Sequence, residues 1–204
     1  ARQAMVEPIT VEWDEAPVSE GGEVRISMAE VTSNGFFLDG LDPYRKHSAG
    51  IVSYLTGGAS IVPAYTRDTT TLPITNLRDG AVAGIKYFNF DGAAPEGGTS
   101  LQLELIPRGV DATIDVYLRP TSAANTPVVR ENGVITSVGE GSEKIGSVTL
   151  TSDMPQVMTA LEIPTPAVDE KDGQWGLFFV FNGGSGSNIC DFYNVQFLSG
   201  NGFF

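Results

Sequence analysis

The chain has one cysteine and one histidine in 204 residues. A lone Cys190 excludes an internal disulfide and any zinc site built on several cysteines. His47 stands alone in PYRKHSAG, with no HExxH and no serine in a GxSxG turn to partner it, so it reads as a loop residue rather than part of a zinc-protease or nucleophile–histidine pair. Positive charge is scarce as well: 12 Lys and Arg stand against 25 Asp and Glu, a net charge of −13. Duplex nucleic acid is excluded as a partner, because binding it needs clustered cations to displace counterions, and an anionic membrane is disfavoured for the same reason. No apolar run approaches membrane-spanning length. The opening ARQAMVEP lacks the basic-then-apolar pattern of a signal peptide. GGSGS (183–187) lacks the Lys-Ser/Thr ending of a phosphate loop. Acidic pairs such as Asp14-Glu15 and Asp169-Glu170 lie in polar loops near prolines and read as solvated surface rather than as carboxylates facing across a cleft. Neutral partners, polysaccharides among them, remain.

What the chain does have is 24 Gly, 12 Pro and 41% hydrophobic residues, with only 18% charged. That balance fits an all-β protein with many turns. ITVEW (9–13) and EVRISMAEV (23–31) alternate apolar and polar residues, and AVAGIKYFNF (81–90), SLQLELI (100–106) and ATIDVYLR (112–119) read as strands. In the last of these Ile114, Val116 and Leu118 are expected to point inward and Thr113, Asp115, Tyr117 and Arg119 outward. IGSVTL (145–150), VMTALEI (157–163), LFFVF (177–181) and DFYNVQFL (191–198) complete the series, with a further hairpin strand at GVITSV. Strands at this spacing favour an antiparallel sandwich. Residues 1–22 read as a linker with a short strand coming from a preceding domain, and 23–204 as the sandwich. Residues 34–76, broken by Pro43, Pro63 and Pro73, form a long irregular insertion whose aromatics argue for order.

The chemistry left is that of a binding surface. Flat aromatic faces pack on sugar C–H groups while amides and carboxylates bond the hydroxyls. Tyr44, Tyr54 and Tyr65 in the irregular segment and Trp175 before LFFVF are the candidate aromatics. Trp175 shares the alternation of Leu177 and Phe179, so core or edge packing is an equal reading for it. NGGSGS lets the chain turn sharply and delivers Asn188 either to the rim or to a backbone cap.

The order RDGAVAGIKYFNF (78–90), ATIDVYL (112–118), GSVTL (146–150) and GLFFVFNGGSGSNICDFYNVQF (176–197) resembles family 6 carbohydrate-binding modules. AEVTSNGF, LDPYRKHSAG and RDGAVAGIKYFNF also look like the sandwich appended C-terminally to family 43 glycoside hydrolases, and ARQAMVEPITVEWD looks like the exit from their catalytic propeller. The resemblance implies a jelly-roll-like β-sandwich that binds xylan or related plant-wall glycans without catalysing a reaction. It implies a structural calcium, with Glu30 and Asp191 at the acidic positions, although Met28 stands where a first oxygen ligand belongs and a thioether is a poor calcium ligand. It places Asn188 at the family's amide position in the sugar site, Asn76 near the usual tyrosine, and MPQ (154–156), hence Gln156, in the turn that carries tryptophan. The expected function is targeting of an attached hydrolase to xylan or arabinoxylan outside a bacterial cell, whether secreted, periplasmic or at the surface. The alternative is a structural accessory sandwich that packs on a family 43 propeller and binds no sugar by itself.

Overall fold

A computed structural model describes residues 40–62, 71–92, 98–123 and 126–200, and the backbone of two strands nearer the start. In chain order the strands are β1 (Val11–Trp13), β2 (Val24–Ile26), β3 (His47–Ser48), β4 (Tyr54–Leu55), β5 (Ser60–Ile61), β6 (Ile74–Thr75), β7 (Ala81–Asn89), β8 (Thr99–Pro107) and β9 (Ala112–Pro120). They continue with β10 (Val129–Glu131), β11 (Val134–Ser137), β12 (Glu143–Leu150), β13 (Thr159–Pro164), β14 (Gln174–Gly183) and β15 (Cys190–Ser199). One sheet of five strands has the order β12-β9-β14-β7-β4. The other, of six, runs β13-β8-β15-β6-β5 with β3 also on β15, and β1 pairs with β2 in a separate ribbon. All ladders are antiparallel.

Period-two patterning explains the layers. In β8, Leu101, Leu103 and Leu105 are fully buried while Ser100, Gln102 and Glu104 stay half-exposed. They meet Ile114, Val116, Leu118, Phe179 and Phe181 of the five-stranded sheet in one core. Phe179 of β14 stands edge-on to Phe192 of β15 with centroids 4.9 Å apart, an aromatic contact that spans the two sheets.

The continuous run LFFVF has a second cause. Leu177, Phe179 and Phe181 face the core, whereas Phe178 and Val180 join Val82, Tyr117, Ile135 and Val138 on the outer side of the same sheet. The β10–β11 hairpin covers that side. Its turn is Asn132-Gly133, both with positive φ (51° and 84°), the geometry that matches strand twist in a two-residue hairpin. Tyr117 and Arg119 do point outward, as their alternation predicts, but beneath the hairpin rather than into solvent. Arg119 lies over the Phe178 ring at 4.4 Å and donates to the Val138 carbonyl at 3.3 Å. A Cβ at Gly84 would fall 2.4 Å from Phe178, so only glycine lets that ring lie against β7.

The described part of the irregular segment is woven into both sheets. β4 extends the five-stranded sheet along β7, while β3 and β6 pair with β15 and β5 pairs with β6. The β1–β2 pairing joins residues on either side of the expected boundary at 22/23.

Candidate functional site: a polar rim at one end of the sandwich

β8 ends, β9 begins, β14 ends and β15 begins at one end of the sandwich, so the turns 76–80, 107–111, 151–158 and 183–189 gather there. Arg108 at the end of β8 donates its backbone N–H to the Ile189 carbonyl at 3.0 Å. Asp111 Oδ1 accepts from Ser152 N–H at 2.7 Å, and Asp79 Oδ1 from Gly183 N–H at 2.7 Å. These bonds fasten four loops into one surface.

Asp191 is its centre. Its side chain is 11% exposed. Oδ2 accepts from the Arg108 guanidinium in an ion pair, while Oδ1 accepts from Thr75 Oγ1 at 2.7 Å and from Asn188 Nδ2 at 2.9 Å. Burial alone would push the Asp191 carboxyl up; the bonds from Arg108, Thr75 and Asn188 outweigh it and hold the group below its ordinary value. The same ion pair raises the Arg108 guanidinium. Next in sequence, Cys190 is buried and burial pushes its thiol up, so it is a core residue without nucleophilic character.

The predicted residues fall in different places. Asn188 and Gln156 do meet on this rim: Gln156 is exposed on the 151–158 turn, and its Nε2 would touch a Cβ at Gly109 at 3.0 Å. The Asn188 amide donates inward, to Asp191 and to Thr75 Oγ1 (3.4 Å), and its Oδ1 is buried with no donor among the described residues. Asn76 is on the rim as a fastener. It holds φ +58°, donates Nδ2 to the Gly58 carbonyl at 2.7 Å and accepts from Arg78 Nε at 2.9 Å. Asn76→Ala is expected to cost about 1–2 kcal/mol, from left-handed strain and two lost bonds, measured as a shift in the urea midpoint.

Trp175 and Tyr54 are elsewhere, contrary to a shared sugar site. Trp175 opens β14 opposite Phe88 and Pro120, at the other end of the sandwich, where its Nε1 donates to the Asp172 carbonyl and Lys171 Nζ sits 4.6 Å over its ring. Strand direction decides this: Trp175 and Asn188 are separated by the whole length of β14. Tyr54 packs against Phe178 on the outer side of the five-stranded sheet, with centroids 5.9 Å apart. Tyr65 and Glu30 lie outside the described residues. Arg108 and Thr75 were missed by sequence reasoning. The signal for Arg108 was a solitary cation in the turn after SLQLELIP in an acidic chain.

Of the two residues expected to hold calcium, Glu30 lies outside the described residues and Asp191 is engaged in hydrogen bonds. Its Oδ1 accepts two bonds and its Oδ2 accepts from a guanidinium, which supplies the positive charge beside the carboxylate in this structure. Among the described residues no group of three or more His, Cys, Asp or Glu is placed to hold a metal.

Fold and rim define a jelly-roll-type β-sandwich with a polar loop end. No protein-family profile matches the chain and no curated protein matches it. Among solved structures, the chain has the fold of family 6 carbohydrate-binding modules. One from Clostridium cellulolyticum, in complex with xylose, is 15% identical, with a TM-score of 0.52 over 78% of this chain and 100% of that one. A β-1,3-glucan-binding module of the same family from Bacillus halodurans is 12% identical, with a TM-score of 0.53 over 79% and 100%. A family 43 arabinoxylan arabinofuranohydrolase from Bacillus subtilis, in complex with cellotetraose, is 14% identical, with a TM-score of 0.56 over 87% of this chain. The chain spans about a third (34%) of that enzyme's length.

Proposed function

We propose that this chain is a non-catalytic carbohydrate-binding module that takes neutral plant-wall polysaccharide, xylan or arabinoxylan, at the Asp191 rim. It acts outside a bacterial cell and holds an attached glycoside hydrolase near its insoluble substrate, raising the effective concentration there. The observation that carries this reading is the rim itself. Arg108, with guanidinium N–H groups beyond those on Asp191, and the exposed Gln156 amide stand on neighbouring turns at the loop end of the sandwich. Such groups bond hydroxyls in both directions. A general acid needs a carboxyl that keeps its proton near working pH, and Asp191 is held the other way.

The test is retardation of the purified chain in gels containing arabinoxylan, glucuronoxylan, β-glucan or arabinan. Xylan gels are expected to retard it with little salt dependence, since the ligand is uncharged. Gln156→Ala, an exposed change, is expected to weaken retention about three- to tenfold, the worth of one hydrogen bond, without moving the unfolding midpoint. No retardation in any gel sinks the rim reading.

The accessory-sandwich reading has one observation in its favour. Val157 and Met158, 59% and 50% exposed, stand beside Gln156 on the same rim and suit packing on a neighbouring protein surface.

A further inference from the structure

An asparagine followed by glycine is where a chain can modify itself, because glycine has no side chain to keep its amide nitrogen from the asparagine Cγ. Such pairs stand at 34–35, 132–133, 182–183 and 201–202. The first and last lie outside the described residues. The fold treats the other two in opposite ways.

Asn182-Gly183 closes β14, the central strand of the five-stranded sheet, and both residues are paired with β9. The Asn182 amide donates to Asp115 Oδ2 at 3.2 Å, and the Gly183 N–H donates to Asp79 Oδ1 at 2.7 Å. The two reacting groups are each tied elsewhere, so β14 must open before they can meet. Asn132-Gly133 is instead the exposed tip of the β10–β11 hairpin. Among the described residues, neither the Asn132 amide nor the Gly133 N–H has a hydrogen-bond partner. Nothing lies within 4 Å of where a Cβ on Gly133 would stand.

We propose that Asn132 is a site of self-modification to isoaspartate, open to the reaction where Asn182 is protected, and that the change loosens the hairpin. The Gly133 nitrogen gives its proton to hydroxide and attacks Asn132 Cγ. The N–Cγ bond forms, the Cγ–Nδ2 bond breaks, and Nδ2 takes a proton from water and leaves as ammonia. Water then opens the cyclic imide at either carbonyl. Opening at the Asn132 main-chain carbonyl gives isoaspartate, with the main chain running through the former side chain; opening at Cγ gives aspartate. The balance is water in and ammonia out, with no oxidant or reductant, and a new carboxylate remains.

Isoaspartate adds a carbon to the main chain, so a two-residue turn no longer matches the pairing of Glu131 with Val134. That hairpin covers Val82, Tyr117, Phe178 and Val180, and its Arg130 donates to the Gly80 carbonyl at 2.7 Å. A loosened tip uncovers this outer cluster and leaves the larger core between the sheets in place.

The test is storage of the whole chain at mildly alkaline pH, followed by peptide mapping with mass spectrometry and isoaspartate-specific enzymatic methylation. Isoaspartate is expected at 132 at least about tenfold faster than at 182, since reaction in β14 waits on local opening. In urea the two rates are expected to converge, because the fold and not the sequence separates them. Asn132→Gly keeps the positive φ without the amide and should abolish reaction at 132 alone. Amide hydrogen exchange over 129–138 should be faster in the aged chain and unchanged by storage in Asn132→Gly. Asn132→Asp, which adds the charge but no main-chain carbon, should exchange like the fresh chain. A rate at 132 no greater than at 182 in the folded chain overturns the site. Isoaspartate at 132 with unchanged exchange, or equally fast exchange in Asn132→Asp, overturns loosening by the lengthened turn.

Discussion

Replacing Asp191 by alanine is expected to lower stability by about 2–4 kcal/mol and to abolish retention on xylan. The carboxylate is nearly buried and satisfies Arg108, Thr75 and Asn188 at once. Removing it strands three donors, and stranding part of a buried charged network costs more than the net worth of its bonds. Arg108, 39% exposed along its side chain, can turn to water, which keeps the loss below that of a fully enclosed pair. Urea unfolding gives the stability term and gel retardation the binding term. An unchanged midpoint would show that the network contributes nothing.

Asp191 also predicts a pH dependence, with a definite sign. Its folded pKa is depressed relative to an unfolded value of about 3.9. Its stabilising share is therefore fully present above about pH 4 and is lost as the pH falls through the lower folded value. Glu104 is shifted in the same direction: burial opposes the shift, but bonds from Lys46 and Asn194 prevail. Acid unfolding therefore has to be compared between the wild type and Asp191→Asn, and the difference between their curves belongs to Asp191. That difference is expected to shrink as the pH drops below 4.

Phe179→Ala is expected to cost about 3–5 kcal/mol, the range for deleting a buried aromatic. Against a total of about 5–15 kcal/mol for an ordinary domain, that is a large share of the stability. Phe179 is fully buried on the central strand of the five-stranded sheet and meets Phe192 of the opposite sheet, so the cavity would open where neighbours are held by ladders on both sides and cannot collapse. Gln102→Ala, on the outer side of β8, is the control and is expected within about 0.5 kcal/mol of wild type. Chemical denaturation of the two variants side by side measures the contrast. A Phe179→Ala loss near the control's value would mean that the sheets are not packed through this pair.

The long strands were legible in the sequence because a period of two over six or more residues suits a half-buried strand and fits no helix. SLQLELI became β8, ATIDVYLR became β9 and DFYNVQFL became β15, each within a residue or two of its predicted ends. The composition and those alternations determined an antiparallel sandwich, and the NGGSGS turn determined that Asn188 would arrive at a strand start. The strands at 47–48, 54–55, 60–61 and 74–75 could not be read in advance. Two residues carry no period, and they are strands only because the edges of β7 and β15, and beyond β15 the edge of β6, offered them partners. The same holds for the site. The sequence supplied an amide, aromatics and an acid as separate candidates. Only the packing set Asn188 against Asp191, brought Arg108 from 83 positions earlier in the chain to the carboxylate, carried Trp175 to the far end and buried Arg119 under a hairpin. Contacts between residues so far apart in sequence are fixed by which strands are neighbours, and that choice is made by the whole core at once rather than by any local pattern.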